Sequence, residues 1–231
     1  MSTDDTNKHS IALVGGTGPE GKGLATRFSI AGHTVTIGSR DPARGVEIAE
    51  ELNSKLEILG QSFVPVQGDS NEHAVTNSAI VIVTVPYSGH RATLESLSHL
   101  LDGKIVIDTV VPVYFEKGPR PVEVSEGSAT EEAAAILQNS NVIGAFHNLS
   151  AEVLMEPALS LDSDVLVTGG GDAKQVAIEL VGDINGARPV DAGPLRYSRF
   201  VEGITILLIG INSRYKSHSG IVISGLEEQY G

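Results

Sequence analysis

A glycine-rich turn between a short apolar segment and a helical pattern most restricts how this chain can fold. Residues 11–14 are apolar, and the turn that follows them consists of Gly16, Thr17, Gly18, Pro19, Glu20 and Gly21. The pattern Gly-x-Gly-x-x-Gly indicates a dinucleotide-binding turn when it closes a strand and opens a helix. Gly16 permits the tight turn, Gly18 lets the backbone approach a pyrophosphate, and Gly21 lets the helix pack against the sheet. We therefore predict that residues 16–21 hold the phosphates of a dinucleotide at a helix N-terminus.

The end of the second predicted strand indicates which dinucleotide binds. NAD-binding chains usually have Asp or Glu here to hold the ribose 2′-hydroxyl, whereas this chain has Ser39 and Arg40, with Arg44 one helical turn further on. A guanidinium fork and a hydroxyl suit a 2′-phosphate, which a carboxylate would repel. Asp41 is the competing ribose acid, but its position before Pro42 favours a helix N-cap. The residues therefore favour NADP(H) over NAD(H).

Strand and helix patterns alternate along the chain. The predicted strands are residues 11–14, 34–37, 63–66, 79–85, 105–111, 142–146, 165–168 and 188–191. Alternating βα units with apolar strands predict an α/β fold with a doubly wound, Rossmann-type, mostly parallel sheet and a small C-terminal helical extension. We expect an NADP(H)-binding Rossmann domain over residues 8–194. A helical segment over residues 195–231 would complete an acceptor pocket, a dimer interface, or both.

Several local patterns make narrower predictions. Asp172 is expected to cap the helix after residues 165–168, and Ser128 with Glu131 forms a possible capping box. Residues 116–127 contain two prolines and two glycines and are predicted to be a surface loop. The buried stripe predicted for the second helix consists of Val46, Ala49, Leu52, Leu56 and Leu59.

Composition excludes several classes of function. The net charge of −13 opposes general binding to nucleic acid or to an anionic membrane. Without cysteine the chain has no disulfide, iron–sulfur cluster, thiolate zinc site or cysteine nucleophile, and its scattered histidines lack the spacing of a helical metal site. Residues 1–10 are polar and unlike a signal peptide, and the apolar run at 204–211 is too short to span a membrane. We expect a cytoplasmic protein with small-molecule partners.

Beyond the nucleotide turn, the sequence resembles the NADPH:F420 oxidoreductase family over residues 11–212. The residues that carry the resemblance are Gly15-Gly16-Thr17-Gly18, Gly21-Lys22-Gly23-Leu24-Ala25, Gly38-Ser39-Arg40, Val111-Pro112-Val113, Ala145-Phe146-His147, Arg188-Pro189-Val190-Asp191-Ala192-Gly193-Pro194-Leu195, Ser198-Arg199 and Val201-Glu202. The block at 188–195 is the most informative, because generic Rossmann proteins do not share it.

The resemblance implies hydride transfer between C4 of the nicotinamide of NADP(H) and C5 of the deazaflavin coenzyme F420. It implies that the adenosine end is held by Thr17, Ser39, Arg40 and Arg44. Val85, Pro86 and Ala145 would lie near the nicotinamide, and the deazaflavin pocket would include Pro112, Val113, His147 and Leu195. The resemblance, together with the apolar region 204–223, implies a homodimer.

Two segments depart from the family pattern, and both could border the acceptor: residues 87–90 and the loop at 116–127. An NADP(H)-dependent reductase of another acceptor (a flavin, quinone, ferric chelate or imine) therefore stands as an alternative, and a non-catalytic NADP(H)-sensing protein as a further one. Hydride transfer mainly needs positioning, so no catalytic acid or base is assigned. His147 could donate to a deazaflavin carbonyl or be a loop histidine bonded to the backbone.

Overall fold

The computed structural model describes residues 8–226, and a six-stranded parallel sheet lies at its centre. The strands of this sheet are β1 (Ser10–Val14), β2 (Thr34–Ser39), β3 (Gln67–Ser70), β4 (Ile80–Val83), β5 (Ile105–Asp108) and β8 (Asn141–Gly144). Their order is β3-β2-β1-β4-β5-β8, and every neighbouring pair is parallel. The strand order reverses between β1 and β4, which is the topological switch point of a Rossmann fold. The predicted fold class is confirmed.

The helices cover both faces of the sheet. They are α1 (Pro19–Ile30), α2 (Pro42–Ile58), α3 (Asn71–Thr76), α4 (Tyr87–Leu101), α5 (Ala129–Ile136), α6 (Ala151–Leu154), α7 (Gly171–Gly182) and α8 (Ser198–Tyr215). Alternate side chains of β1 point to opposite faces, as the period of two in a strand requires. Ile11 and Leu13 pack with α1, α2 and α7, whereas Ala12 and Val14 pack with α3, α4 and α5.

A second, smaller sheet follows the Rossmann sheet. Its two parallel strands are β9 (Ser163–Val167) and β10 (Ala187–Asp191). An antiparallel bridge between Gly144 and Thr168 joins it to the end of β8. A 3-10 turn at Leu195–Tyr197 then leads into α8. The strands predicted at 165–168 and 188–191 therefore exist, but they form their own sheet.

The predicted third strand at residues 63–66 is wrong, because β3 occupies Gln67–Ser70 instead. Its polar sequence gives no strand pattern. Residue 68 in this strand has no room for an apolar side chain, because a Cβ there would lie 2.2 Å from the carbonyl oxygen of Gly45 in α2. Glycine is therefore found at this position. β3 lies at the edge of the sheet.

The segment predicted to be a loop at residues 116–127 contains part of a β-hairpin. Its antiparallel strands are β6 (Val113–Phe115) and β7 (Pro119–Pro121), joined through Lys117 and Gly118, which both have positive φ. Two prolines in a three-residue strand conceal the strand from sequence reasoning, since proline cannot donate to a sheet.

Helix ends and faces follow the sequence in part. Asp41 caps α2 and Ser128 caps α5 as predicted, whereas α7 has Gly170 as its N-cap and Asp172 in its first turn. In the stripe predicted for α2, the first and last residues are exposed, at 43% for Val46 and 47% for Leu59. The α2 helix thus turns a narrower face to the sheet than the apolar spacing indicates.

The two chain ends are only partly described. The polar tail predicted for residues 1–10 lies mostly outside the described residues, and Ser10 already belongs to β1. Residues 227–231 of the predicted C-terminal segment also lie outside them. Within residues 8–226, no helix is both long and apolar enough to cross a membrane.

Candidate active site

The glycine turn lies at the carboxyl end of β1. Close contacts require glycine at residue 15, immediately before the turn, and at residue 21, its last position. Gly15 has a φ of +71°, and a Cβ on it would lie 2.4 Å from Cγ1 of Val85. A Cβ on Gly21 would lie 2.4 Å from Cα of Gly16, so the first turn of α1 packs directly against the turn. These contacts account for the glycine pattern by backbone packing.

The N-terminus of α1 is open toward the expected phosphate site. Gly18 is the N-cap of α1, and no side chain among the described residues caps it. A Cβ on Gly18 would meet nothing within 4 Å, so the space beside this backbone is empty of protein. Unpaired N–H groups and the positive end of the helix dipole favour an anion at this place. The turn therefore fits a dinucleotide pyrophosphate.

Asn71 supports the turn from the adjacent element, a role that the sequence did not reveal. Its Oδ1 accepts a hydrogen bond of 3.1 Å from the backbone N–H of Gly15, and the residue is buried at the start of α3. A Cβ on Gly38 would lie 2.8 Å from the same Oδ1 atom. The glycine at the end of β2 thus leaves room for the amide that fixes the dinucleotide turn.

The predicted adenosine end lies where β2 meets α2. Ser39 is buried and its Oγ accepts from the backbone N–H of Asp41, while Asp41 in turn accepts from the N–H of Ala43. Arg40 is exposed, and its guanidinium makes no hydrogen bond or ion pair within residues 8–226. Arg44 lies 2.6 Å from Glu47. Asp41 acts as the helix cap, and the assignment of Arg40 and Arg44 to a 2′-phosphate stays a prediction.

Glu20 brings an unusual carboxyl group into the first turn of α1. Its Oε1 atom is buried and has no hydrogen-bond partner in the described part of the chain. Burial, and then the nearby Glu152 in α6, raise the pKa of Glu20 to about 8. The raised pKa favours the neutral carboxyl at pH 7, which limits negative charge in the first turn of α1.

The residues predicted near the nicotinamide lie around the ends of β4 and β8. Val85 packs against Gly15, and Pro86 is the N-cap of α4. Ala145 follows β8, is fully buried in the core, and donates its N–H to the carbonyl of Asp108. Val85 and Pro86 thus lie beside the dinucleotide turn at the switch point of the sheet, whereas the Ala145 side chain belongs to the core.

The four residues predicted for the deazaflavin pocket lie on three different segments of the chain. Pro112 is buried and its carbonyl accepts from Val122, Val113 begins β6, His147 follows β8, and Leu195 begins the 3-10 turn. A neighbouring pocket of about 460 Å³ does not include any of the four. Its lining consists of Leu166, Ala192, Tyr197, Phe200, Val201 and Ile204. The assignment of these four residues to the acceptor stays a prediction.

His147 is held in place by an uncommon backbone conformation. The preceding residue, Phe146, has a φ of +67°, although it is a buried aromatic residue. Such a conformation costs about 1–3 kcal/mol and persists only where the surroundings enforce it. The ring of Phe146 packs edge-on against Phe28 at 5.8 Å. The chain therefore turns sharply at the end of β8 and buries the His147 ring.

A buried charged cluster lies beneath the same edge of the sheet and was not predicted. His90 contacts Asp108 through Nε2 at 2.6 Å and Glu132 through Nδ1 at 2.9 Å. Burial lowers the pKa of His90, but the two carboxylates more than offset this and raise it to about 9. Arg91 pairs with the other oxygen of Glu132 at 2.9 Å. Among the described residues, no group of three or more potential ligands could hold a metal ion.

Comparison with known proteins decides the family. Residues 10–112 match the family described as NADP oxidoreductase, coenzyme F420-dependent. The chain is 40% identical over 226 residues to the F420-dependent NADP reductase of Methanothermobacter thermautotrophicus, covering 95% of this chain and 96% of that protein. The chain belongs to the F420-dependent NADP reductase family.

Two further comparisons agree with this membership. The F420-dependent NADP reductase of Methanocaldococcus jannaschii is 38% identical over 224 residues, covering 94% of this chain and 99% of that protein. A crystal structure from Arthrobacter sp. FB24, provisionally described as an F420-dependent NADP reductase, superposes with a TM-score of 0.75 at 23% identity over 93% of this chain and 100% of that one. At that identity the structure supports the fold alone.

The late block of the family resemblance builds the second sheet. Arg188 forms a two-pronged ion pair with Asp164 at 2.6 and 2.8 Å, and also donates to the carbonyl of Ile223. Asp191 accepts from the N–H of Gly193 and pairs with Lys174. These contacts of Arg188 and Asp191 thus fix the part of the chain that leads into α8.

Proposed function

We propose that this protein transfers a hydride between NADP(H) and coenzyme F420. The observation that carries the proposal is the similarity to F420-dependent NADP reductases over 95% of the chain, at 40% identity. The open N-terminus of α1 supports the nucleotide half of the reaction, since it suits the phosphates of NADP(H).

The residues of this chain contribute mainly positioning. The glycine turn would hold the pyrophosphate, and Arg40 would pair with the 2′-phosphate. Val85 and Pro86, beside the switch point, would place the nicotinamide at the carboxyl edge of the sheet. Residues 112, 113, 147 and 195 would hold F420 as the second substrate. Hydride transfer then requires the two reacting carbons to lie about 3–3.5 Å apart, with their rings stacked.

The acceptor is the least constrained part of the proposal. The segment at the start of α4, residues 87–90, departs from the family pattern, and His90 there belongs to the buried charged cluster. An acceptor panel with NADPH tests this directly, with F420, FMN, a quinone, a ferric chelate and a cyclic imine at equal concentrations. We expect F420 to be reduced fastest. Faster reduction of any other acceptor would replace F420 in the proposal.

We also propose that residues 8–194 form the NADP(H)-binding domain and that the later segment forms a homodimer interface through α8. An exposed apolar stripe runs along α8 through Phe200, Leu207, Ile211 and Tyr215, which are seven, four and four residues apart and so share one helix face. Gly203 lies within this stripe, and a Cβ on it would meet nothing within 4 Å of this chain. A glycine inside a helix costs about 0.5–1 kcal/mol, which close packing of a second α8 would offset.

We propose that the partners are the two small-molecule redox substrates and a second copy of the chain, and that the protein works in the cytoplasm without nucleic acid. The net charge of −13 supports the absence of nucleic acid, because it opposes binding to phosphate polymers.

A further inference from the structure

A chain of hydrogen bonds connects α8 to the predicted acceptor side through α5. The carboxyl group of Glu202 accepts from the backbone N–H of Ala129 at 3.0 Å and of Thr130 at 3.1 Å. Its Oε1 also lies 3.1 Å from Oγ1 of Thr130. That hydroxyl lies 3.2 Å from Nε2 of His147. Glu202, Thr130 and His147 therefore form a continuous path of three side chains.

The whole path is shielded from water. Thr130 is fully buried, Glu202 is 2% exposed and His147 is 5% exposed. The far end of the path, Nδ1 of His147, is buried and has no hydrogen-bond partner within residues 8–226. A buried nitrogen without a partner costs free energy, and a ligand that supplies one would relieve that cost.

Thr130 has one hydroxyl proton, so it can donate a hydrogen bond to Glu202 or to His147 but not to both at once. When Glu202 is ionised it can only accept, so Thr130 donates to it and must accept from an N–H on Nε2 of His147. Nδ1 is then a bare acceptor. When Glu202 carries a proton it donates to Thr130, which donates to Nε2, and the hydrogen of the neutral ring lies on Nδ1. The protonation of Glu202 thus selects the tautomer of His147, while the ring stays neutral.

We propose that Glu202, Thr130 and His147 form a proton relay that presents an N–H donor at Nδ1 of His147 to the acceptor ring. The proposal rests on the proposed function, in which NADPH and one proton reduce F420. The hydride forms the new C5–H bond, and the proton passes from Nδ1 to the deazaflavin. Nε2 then takes the proton of Thr130, and Thr130 takes that of Glu202. The relay ends with Glu202 ionised, so atoms and charges balance.

The surroundings of Glu202 support a proton that is exchanged near neutral pH. Burial raises the pKa of Glu202 to about 8, although the three hydrogen bonds from residues 129 and 130 oppose this. Asp108 of β5 raises it further. Tyr87 and His90 of α4, Glu131 and Glu132 of α5, and Arg199 of α8 are the other titratable or charged groups around the path. Burial lowers the pKa of His147 to about 4, which keeps its ring neutral.

The first test needs no acceptor. Histidine-selective ¹⁵N labelling reports which ring nitrogen of His147 carries hydrogen, and His147→Gln assigns its signals. In the ligand-free protein we expect the hydrogen to move from Nδ1 to Nε2 as pH rises through about 8. Thr130→Val should abolish this change, and Thr130→Ser should restore it. A single tautomer across the range in the wild type, or a change that survives in Thr130→Val, would overturn the relay.

The second test measures single-turnover reduction of F420 by NADPH. Thr130→Val should slow it on the order of 10²-fold, the usual contribution of a positioned acid or base, and leave the NADPH dissociation constant unchanged. Thr205→Val is the matched control, because Thr205 donates to the backbone carbonyl of His147 at 2.9 Å and lies outside the path. Thr130→Ser and Thr205→Val should stay within a few-fold of the wild type.

The outcomes separate the relay from the reaction. A wild type that reduces F420, with Thr130→Val equally fast, rejects the relay and leaves the proposed function standing. A slow Thr205→Val variant would assign the effect to the placement of His147 and would also reject the relay. A wild type that does not reduce F420 would contradict the proposed function. The labelling experiment would then still show whether protonation of Glu202 selects the tautomer of His147.

Discussion

His90 and Asp108 form an ion pair in the interior of the protein, with Nε2 of the histidine 2.6 Å from Oδ2 of the aspartate and both side chains fully buried. The other ring nitrogen of His90 lies 2.9 Å from one carboxylate oxygen of Glu132. Arg91 forms an ion pair with the second carboxylate oxygen of Glu132. The cluster joins α4, β5 and α5 below the edge where the substrates are proposed to meet. Removing one member leaves buried charge without a partner.

We expect His90→Ala to destabilise the protein by about 3–5 kcal/mol, the usual cost of breaking a buried ion pair by removing one partner. Urea unfolding near pH 7 measures the change, and the exposed His99→Ala on the same helix is the control. In the wild type the stabilisation from His90 is fully present below its ordinary pKa of 6.5 and lost as pH rises through about 9. An unfolding free energy equal to that of the control variant would contradict this assignment.

Glu20 predicts a pH dependence of nucleotide binding. Its pKa is raised from 4.5 to about 8 by burial and then by Glu152, so this carboxyl group in the first turn of α1 ionises as pH rises through about 8. We expect NADPH affinity to fall about fivefold from pH 7 to pH 9, from about 1 kcal/mol of like-charge repulsion. Glu20→Gln should bind equally well at both pH values. Calorimetric titration measures this, with the exposed Glu57→Gln as control, and a parallel decline in Glu20→Gln would refute the prediction.

Arg40 tests the choice of nucleotide. It is exposed and without an ion pair in the described residues, so its loss should leave the fold intact. Arg40→Ala should weaken NADPH binding by about 1.5–3 kcal/mol, the value of a hydrogen bond to a charged group, while NADH binding changes little. Arg120→Ala in β7 is a control arginine outside the junction of β2 and α2 where Arg40 lies. Equal losses for both nucleotides would contradict the 2′-phosphate assignment.

The apolar stripe of α8 predicts the oligomeric state. Light scattering should give twice the mass of the chain at micromolar concentration, and Leu207→Glu, at a position 66% exposed in the single chain, should give the monomer. Ile58→Glu is the matched control, since Ile58 is 85% exposed on α2. A monomeric wild type, or dissociation by the control alone, would argue against the α8 interface.

The glycine turn and the helix caps at Asp41 and Ser128 could be predicted because each depends on residues adjacent in the chain. β3 could not, since Gln67–Ser70 is polar and is a strand only because β2 pairs with it. The cluster around His90 draws Asp108 and Glu132 from two other elements, 18 and 42 positions further along the chain. No spacing rule connects such positions.

The same limit applies to the predicted site. Glu202 is among the residues that carry the family resemblance. Its neighbours in the sequence do not show that its carboxyl group accepts hydrogen bonds from Ala129 and Thr130 at the start of α5. Asn71 is equally hidden, because its contact with Gly15 spans 56 positions. Local signals therefore identify the nucleotide turn, whereas the side chains that support it and the acceptor edge depend on packing between elements.

Direct hydride transfer between the two substrates leaves an isotopic label in the product. NADPH labelled with deuterium at C4, in separate pro-R and pro-S forms, is mixed with the protein and F420 in ordinary water, and the reduced deazaflavin is analysed by mass spectrometry. We predict one deuterium at C5 from one of the two labelled forms and none from the other. Reduced F420 that carries only solvent hydrogen, or no reduction at all, would rule out direct hydride transfer between NADPH and F420 by this protein.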